Sequence, residues 1–192
     1  MSRRIIIIVL SFLFGGMLAA QQKGIPSKWT FHSVNQFGLL QGESKAAFNL
    51  QSVNGFQYNN FFAGLGAGLD YYKYKSIPLF AELRKYFGKS ANQFFVYADA
   101  GVHFVWEKKN NTDYPYLSAE KYPPGFYGNA GIGYKAGSKN GMGFLLSAGY
   151  SYKRVNDRQQ QDSCPFSGPC YLQTNTYQYD LNRLAIQIGW MF

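Results

Sequence analysis

Leu184-Ala185-Ile186-Gln187-Ile188-Gly189-Trp190-Met191-Phe192, the last nine residues, decide how the chain is read. Leu184, Ile186, Ile188, Trp190 and Phe192 fall on alternate positions, and the residues between them are smaller or more polar. Side chains of a strand point alternately to opposite faces, so the segment predicts a strand with one wholly apolar, aromatic face. A strand that runs to Phe192 without a turn or cap is expected to need a neighbouring strand for its backbone groups.

The same rhythm recurs upstream. Phe61, Ala63, Leu65, Ala67, Leu69 and Tyr71 share a face opposite Gly64, Gly66, Gly68 and Asp70. Leu79, Ala81, Leu83 and Phe87 oppose Phe80, Glu82, Arg84 and Tyr86; Phe94, Val96, Ala98, Ala100, Val102, Phe104 and Trp106 oppose Tyr97, Asp99, Gly101 and His103. Phe126, Ala130, Ile132 and Tyr134 oppose Asn129 and Lys135, and Phe144, Leu146, Ala148, Tyr150 and Tyr152 oppose Ser147, Ser151 and Lys153. With the last strand, expected from about 179, these are six strands of ten or so residues, the length a tilted membrane strand requires. Residues 29–40 and 46–56 add two less cleanly divided strands, since Ser52 and Asn54 share a face with Phe48 and Leu50. The turn after the second could lie at Asn54-Gly55 or at Tyr58-Asn59-Asn60; the latter keeps strand lengths even. The expectation is an all-β, eight-stranded antiparallel up-and-down barrel. Short connections at 58–60, 88–92 and 137–141 alternate with long ones at 107–124 and 156–178, so the two long loops emerge on one side.

The amino terminus has Arg3 and Arg4, an apolar run at 5–14, and Gly15-Gly16-Met17-Leu18-Ala19-Ala20. This reads as a secretory signal peptide over 1–20, leaving 21–192 as one exported domain. The apolar run is shorter than the ~20 residues a spanning helix needs. The chain carries 19 Lys and Arg against 10 Asp and Glu, a formal charge of +9. The basic residues are scattered, and export argues against nucleic acid as a partner; anionic lipid head groups suit the charge better. Both cysteines, Cys164 and Cys170, flank five turn-forming residues, which in an exported chain predicts a disulfide. The distant His32 and His103 do not complete a metal site, and neither a metal nor another cofactor is expected.

The face opposite the apolar one separates a membrane barrel from a soluble one. It carries Asp70, Glu82, Arg84, Asp99, Lys135, Lys153 and Arg183, a charged and Gly/Ser-rich set suited to a narrow, filled interior. An apolar band flanked by aromatic girdles is what lipid requires on the outside. The terminal Ile186-x-Ile188-x-Trp190-x-Phe192 pattern resembles the carboxy-terminal insertion signal of outer-membrane barrels. Together with the leader and the strand rhythm, the chain resembles the small eight-stranded barrels of the OmpA/OmpX type. The span 37–87, with Gly64-x-Gly66-x-Gly68-x-Asp70 and Pro78-Leu79-Phe80, further resembles uncharacterised barrels of Gram-negative outer membranes. The resemblance implies outer-membrane localisation, contact with outer-membrane lipid and recognition of the last strand by the barrel-assembly machinery.

Interior charges need partners, so an ion-pair network filling the barrel is the expected role of the seven charged residues. Asp99, His103 and Ser151 also face inward, which raises acyl chemistry on a membrane lipid as an alternative, though nothing around Ser151 marks a nucleophile. Gly64, Gly66 and Gly68 do not spell a dinucleotide fingerprint; they are expected to admit large side chains from across the barrel or to relieve strand curvature. The Tyr-rich loops at 107–124 and 156–178 are good binding material on a rigid scaffold. The expected function is therefore a non-enzymatic barrel presenting two extracellular loops for surface binding, adhesion or membrane integrity. A lipid-modifying enzyme comes second and a small-solute channel third.

Overall fold

The structure is a computed structural model that describes residues 29–43, 45–88, 91–106, 117–137, 142–163 and 171–192, with backbone alone at 117–120, 161–163 and 171–172. The signal peptide expected at 1–20 and the Cys164–Cys170 disulfide lie outside the described residues. Among the described residues nine strands follow in order: β1 (Trp29–Gly42), β2 (Ala47–Tyr58), β3 (Phe61–Asp70), β4 (Ser76–Phe87), β5 (Gln93–Val105), β6 (Leu117–Lys121), β7 (Gly125–Gly137), β8 (Gly143–Ser163) and β9 (Tyr171–Met191). All pairings are antiparallel, and β1 pairs with both β2 and β9, which closes eight of the strands into an up-and-down barrel. Closure leaves the barrel wall without an unpaired edge, a condition for strands inside a bilayer.

The register fixes the tilt. A pairing line that leaves Trp29 passes through Tyr58, Phe61, Lys85, Val96, Ile132, Ala148 and Ile186, and returns to β1 at Leu39, ten residues farther along. Such a stagger in eight strands tilts each by about 40° and leaves an interior just wide enough for side chains. The turn between β2 and β3 falls at Asn59-Asn60, as even strand lengths predicted. Asn59 has φ +52°, a left-handed conformation that asparagine tolerates better than most residues.

Burial is inverted relative to a water-soluble protein. Leu65 is 74% exposed, Phe144 75% and Ile132 67%, whereas Arg84 is 2%, Arg183 1% and Lys153 0% exposed. A contiguous apolar wall of this extent would be insoluble in water and is what acyl chains solvate. Aromatic pairs bound the wall. Tyr71 with Trp106 and Phe126 with Tyr152 stand toward the loops, while Trp29 with Tyr58 and Phe94 with Tyr134 stand toward the short turns.

The interior is more aromatic than a charged, Gly-rich face suggests. Toward the short turns Phe62, Tyr86, Phe95, Leu145 and Met191 pack together with Val34, Val53 and Phe80. Toward the loops Leu40, Tyr72, Tyr74, Val155 and Leu181 form a second cluster. Gly64 and Gly66 do make room, but for side chains of their own and adjacent strands rather than from across the barrel. A Cβ on Gly66 would lie 2.6 Å from the ring of Phe80, its register partner on β4, and one on Gly64 would meet Val53 and Phe62.

The connection expected at 156–178 is not a loop. β8 and β9 continue as a paired ladder out to Ser163 and Tyr171, so β9 begins well before 179. The other long connection contains β6, which pairs with β8 from Lys121↔Arg158 outward. Apolar alternation misses these segments because strands beyond the bilayer need no greasy face; an uninterrupted backbone ladder suffices. The breakers were legible, since Pro165, Gly168 and Pro169 all fall between the two strands and 143–163 holds no proline.

Candidate functional site

The interior polar groups form two locks rather than one network. The first sits near the loop side. Asp70 ends β3 and is 3% exposed; Arg183 Nη1 lies 2.5 Å and Lys153 Nζ 3.0 Å from its Oδ2. The Tyr72 amide donates to Asp70 Oδ1 at 2.8 Å, so the carboxylate also caps the turn into the β3–β4 connection. Lys153 donates to the carbonyls of Tyr72 (3.2 Å) and Tyr74 (2.9 Å) and to Ser76 Oγ (3.1 Å). Tyr72 and Tyr74 are thereby held in the mouth of the barrel, where the Tyr74 ring meets Tyr122 and Tyr179, each at 5.7 Å between centroids.

The second lock lies nearer the short turns. Glu82 and Arg84 follow one another on the inner face of β4 and pair at 2.7 Å. The Arg84 guanidinium rests on the Phe95 ring at 4.5 Å and reaches Gln36 Oε1 at 3.5 Å. Gln36 Nε2 continues to Ser147 Oγ at 3.3 Å, which ties β4 through β1 to β8. Asp99, the register partner of Glu82, accepts from Asn129 Nδ2 at 3.0 Å. Between the locks, Gln187 donates to Gln51 and Gln51 to the Tyr127 hydroxyl, at 2.9 and 2.6 Å. Lys135 belongs to neither lock: it is buried near the short turns with its ammonium 5.4 Å from the Tyr86 ring centroid.

Sequence parity placed all seven charged residues inward but could not group them. It passed over Gln36, Gln51 and Gln187, whose inward parity was readable. It also passed over Tyr72 and Tyr74, which sit in a connection where alternation says nothing. Ser151, His103 and Asp99 do not assemble into a triad. Ser151 Oγ accepts from Arg183 Nη2 at 2.8 Å, His103 Nε2 faces the Arg154 carbonyl at 2.7 Å, and Asp99 is engaged by Asn129.

From the loop-side girdle outward, β8 and β9 stand out of the wall as an arm. Its outward face is polar and cross-braced: the Tyr152 hydroxyl donates to Asp180 at 2.6 Å, Arg154 Nε donates to the same oxygen at 2.8 Å, and Tyr150 hydrogen-bonds Asn182. The hydrogen bond from Tyr152, then that from Arg154, holds the Asp180 carboxyl below its usual range. A depressed carboxylate contributes stability above its unfolded pKa, and the contribution disappears as pH falls through the lower folded value. The brace is solvent-exposed, so its effect on stability is small. Carbon-detected NMR should place the Asp180 midpoint below 3.8, the ordinary value, and Tyr152→Phe should raise it. A midpoint at or above 3.8 would mean that the brace does not form.

Comparison with solved structures agrees on the fold. The barrel superposes on the outer membrane protein OprG of Pseudomonas aeruginosa with a TM-score of 0.56 at 11% identity, covering 84% of this chain and 95% of that one. It superposes on Neisserial surface protein A with a TM-score of 0.54 at 11% identity, covering 86% and 96%. No protein-family profile matches the chain, and no curated protein matches its sequence. The architecture is that of a small eight-stranded outer-membrane barrel. Its apolar wall and aromatic girdles are those of a barrel that faces lipid.

Proposed function

We propose that this barrel is a non-enzymatic scaffold that holds the β6–β8–β9 arm outside the cell for surface binding or adhesion. One observation carries the reading. β8 and β9 span 21 residues each, about twice the ~10 that a tilted strand needs to cross a bilayer, and their outer halves remain paired. A paired hairpin with a third strand beside it is a stiffer platform than a loop, which favours recognition. Tyr177, 46% exposed on this arm, supplies aromatic contact surface among Thr, Asn and Gln side chains.

The interior supports a scaffold better than a channel or an enzyme. Aromatic clusters fill both ends, and the Arg84–Gln36–Ser147 and Gln187–Gln51–Tyr127 ties cross the space between. Purified folded protein in planar bilayers should accordingly give no stepwise conductance; regular open-channel steps would favour the solute-channel reading. Ser151→Ala should leave the lipid A composition of the producing strain unchanged, since the Ser151 hydroxyl is held by a guanidinium and not by a base.

The binding reading is tested by replacing residues 157–177 with a two-residue Asn-Gly turn. Heat-modifiable gel migration should persist, because every residue of both locks lies outside the deleted segment. Cells displaying the wild-type barrel should be retained on an array of immobilised glycans and extracellular proteins, and cells displaying the shortened one should not. Equal retention of both, or retention of neither above cells lacking the barrel, would contradict the proposal.

A further inference from the structure

We propose that the barrel associates with a second copy of itself in the membrane through the outward face of β1 and β2. That face interrupts the apolar wall. Asn35, Ser52 and Asn54 project outward and are half-buried, and Ser33 is buried beside them at 5% exposed, its hydroxyl 3.5 Å from Asn35 Nδ2. Register sets Asn35 opposite Ser52 and Ser33 opposite Asn54, so the four make one block. The Phe31–Phe56 pair bounds it toward the short turns and the Phe37–Leu50 pair toward the loops. The block thus lies within the belt that acyl chains cover. Beyond the long Asn35–Ser33 contact, these side chains have no hydrogen-bond partner among the described residues.

An amide in hydrocarbon has no water to turn to, so such a block is unfavourable against lipid and favourable against a matching polar surface. A lipid phosphate does not match: the block carries no cation, and the outward Lys85 stands on β4 beside Phe61 and Phe87 instead. A second copy does match. Amides and hydroxyls each donate and accept, which makes the block self-complementary. Two copies inserted in the same sense are related by a two-fold axis along the membrane normal, which brings equal depths together. Polar groups then meet polar groups, and the flanking aromatic rows meet each other. The small Ser52 lets the two walls approach closely, as small residues do between membrane segments.

The test counts subunits. Fluorescently labelled, folded protein is reconstituted into phosphatidylcholine vesicles over a range of protein-to-lipid ratios and scored by single-molecule photobleaching. The wild type should show two-step bleaching that gives way to single steps on dilution. Asn35→Leu/Asn54→Leu should retain heat-modifiable migration and need about ten times the density to reach the same two-step fraction. A second measurement does not depend on that variant folding. In a Cys164→Ser/Cys170→Ser background, Ser52→Cys should form a linked dimer under mild oxidation faster than Ile132→Cys, which lies on β7 at the far wall. Single-step bleaching of the wild type at every density, a double variant that pairs like the wild type, or equal linking at positions 52 and 132 would each overturn the proposal.

Discussion

Asp70→Ala is expected to destabilise the folded barrel by about 3–5 kcal/mol, the usual cost of removing one partner from a buried charge cluster. The carboxylate stands between two cations, Lys153 and Arg183, that are both shielded from water. Its loss leaves two like charges facing one another in a space of low dielectric, and it frees the Tyr72 amide that Asp70 caps. The same substitution removes the anion that anchors Lys153, whose ammonium holds the carbonyls of Tyr72 and Tyr74. The comparison that isolates the charge is Asp70→Leu/Lys153→Met/Arg183→Met. Substituting an entire buried cluster by apolar residues is often near neutral, so the triple variant should be more stable than the single one. Equilibrium unfolding in urea with lipid vesicles, followed by tryptophan fluorescence, measures both. A single variant within about 0.5 kcal/mol of wild type, the scale of an ordinary surface change, would show that Asp70 is not the keystone of the loop-side lock.

Leu65→Arg should cost about 2–4 kcal/mol, because a charge placed near the middle of the lipid face has no water and no partner. The effect must depend on depth. Tyr71→Arg, six residues along the same face and beside Trp106 in the loop-side girdle, should cost no more than about 1 kcal/mol. Arginine can snorkel there toward head groups on its long apolar stem. A soluble barrel of the same topology would show no such gradient, since each position would simply face water. Equal costs at 65 and 71, or none at either, would contradict a lipid-facing wall.

Much of this architecture could be read from residues 61–152 and 184–192 because two opposed solvents write a strict period of two into a membrane strand. Leu83 and Arg84 are neighbours in sequence, yet the apolar one is 67% and the charged one 2% exposed, the reverse of what water selects. Parity also gave the inward direction of Asp70, Glu82, Asp99, Lys153 and Arg183. It could not give their grouping, which depends on register across four or more strands and on the ten-residue stagger of the closed sheet. The arm was missed for a related reason. Residues such as Gln159, Gln160 and Thr174 pair as well as apolar ones do, but outside the bilayer nothing obliges them to alternate. Tyr72 and Tyr74 were illegible because a connection folding back into the lumen obeys neither solvent's pattern. The polar block at Ser33, Asn35, Ser52 and Asn54 was visible as an untidy face on the first two strands; its coherence appears only when register places the four side by side.

The most direct test of the lipid-facing wall is a nitroxide scan along β9 of the barrel reconstituted in vesicles, one label at a time from Leu184 to Ile188. Labels at 184, 186 and 188 should collide readily with molecular oxygen, which partitions into acyl chains, and labels at 185 and 187 should be shielded from oxygen and nearly immobile. The opposite alternation, or free access of a water-soluble relaxant to 184, 186 and 188, would put the apolar residues inside and contradict the account.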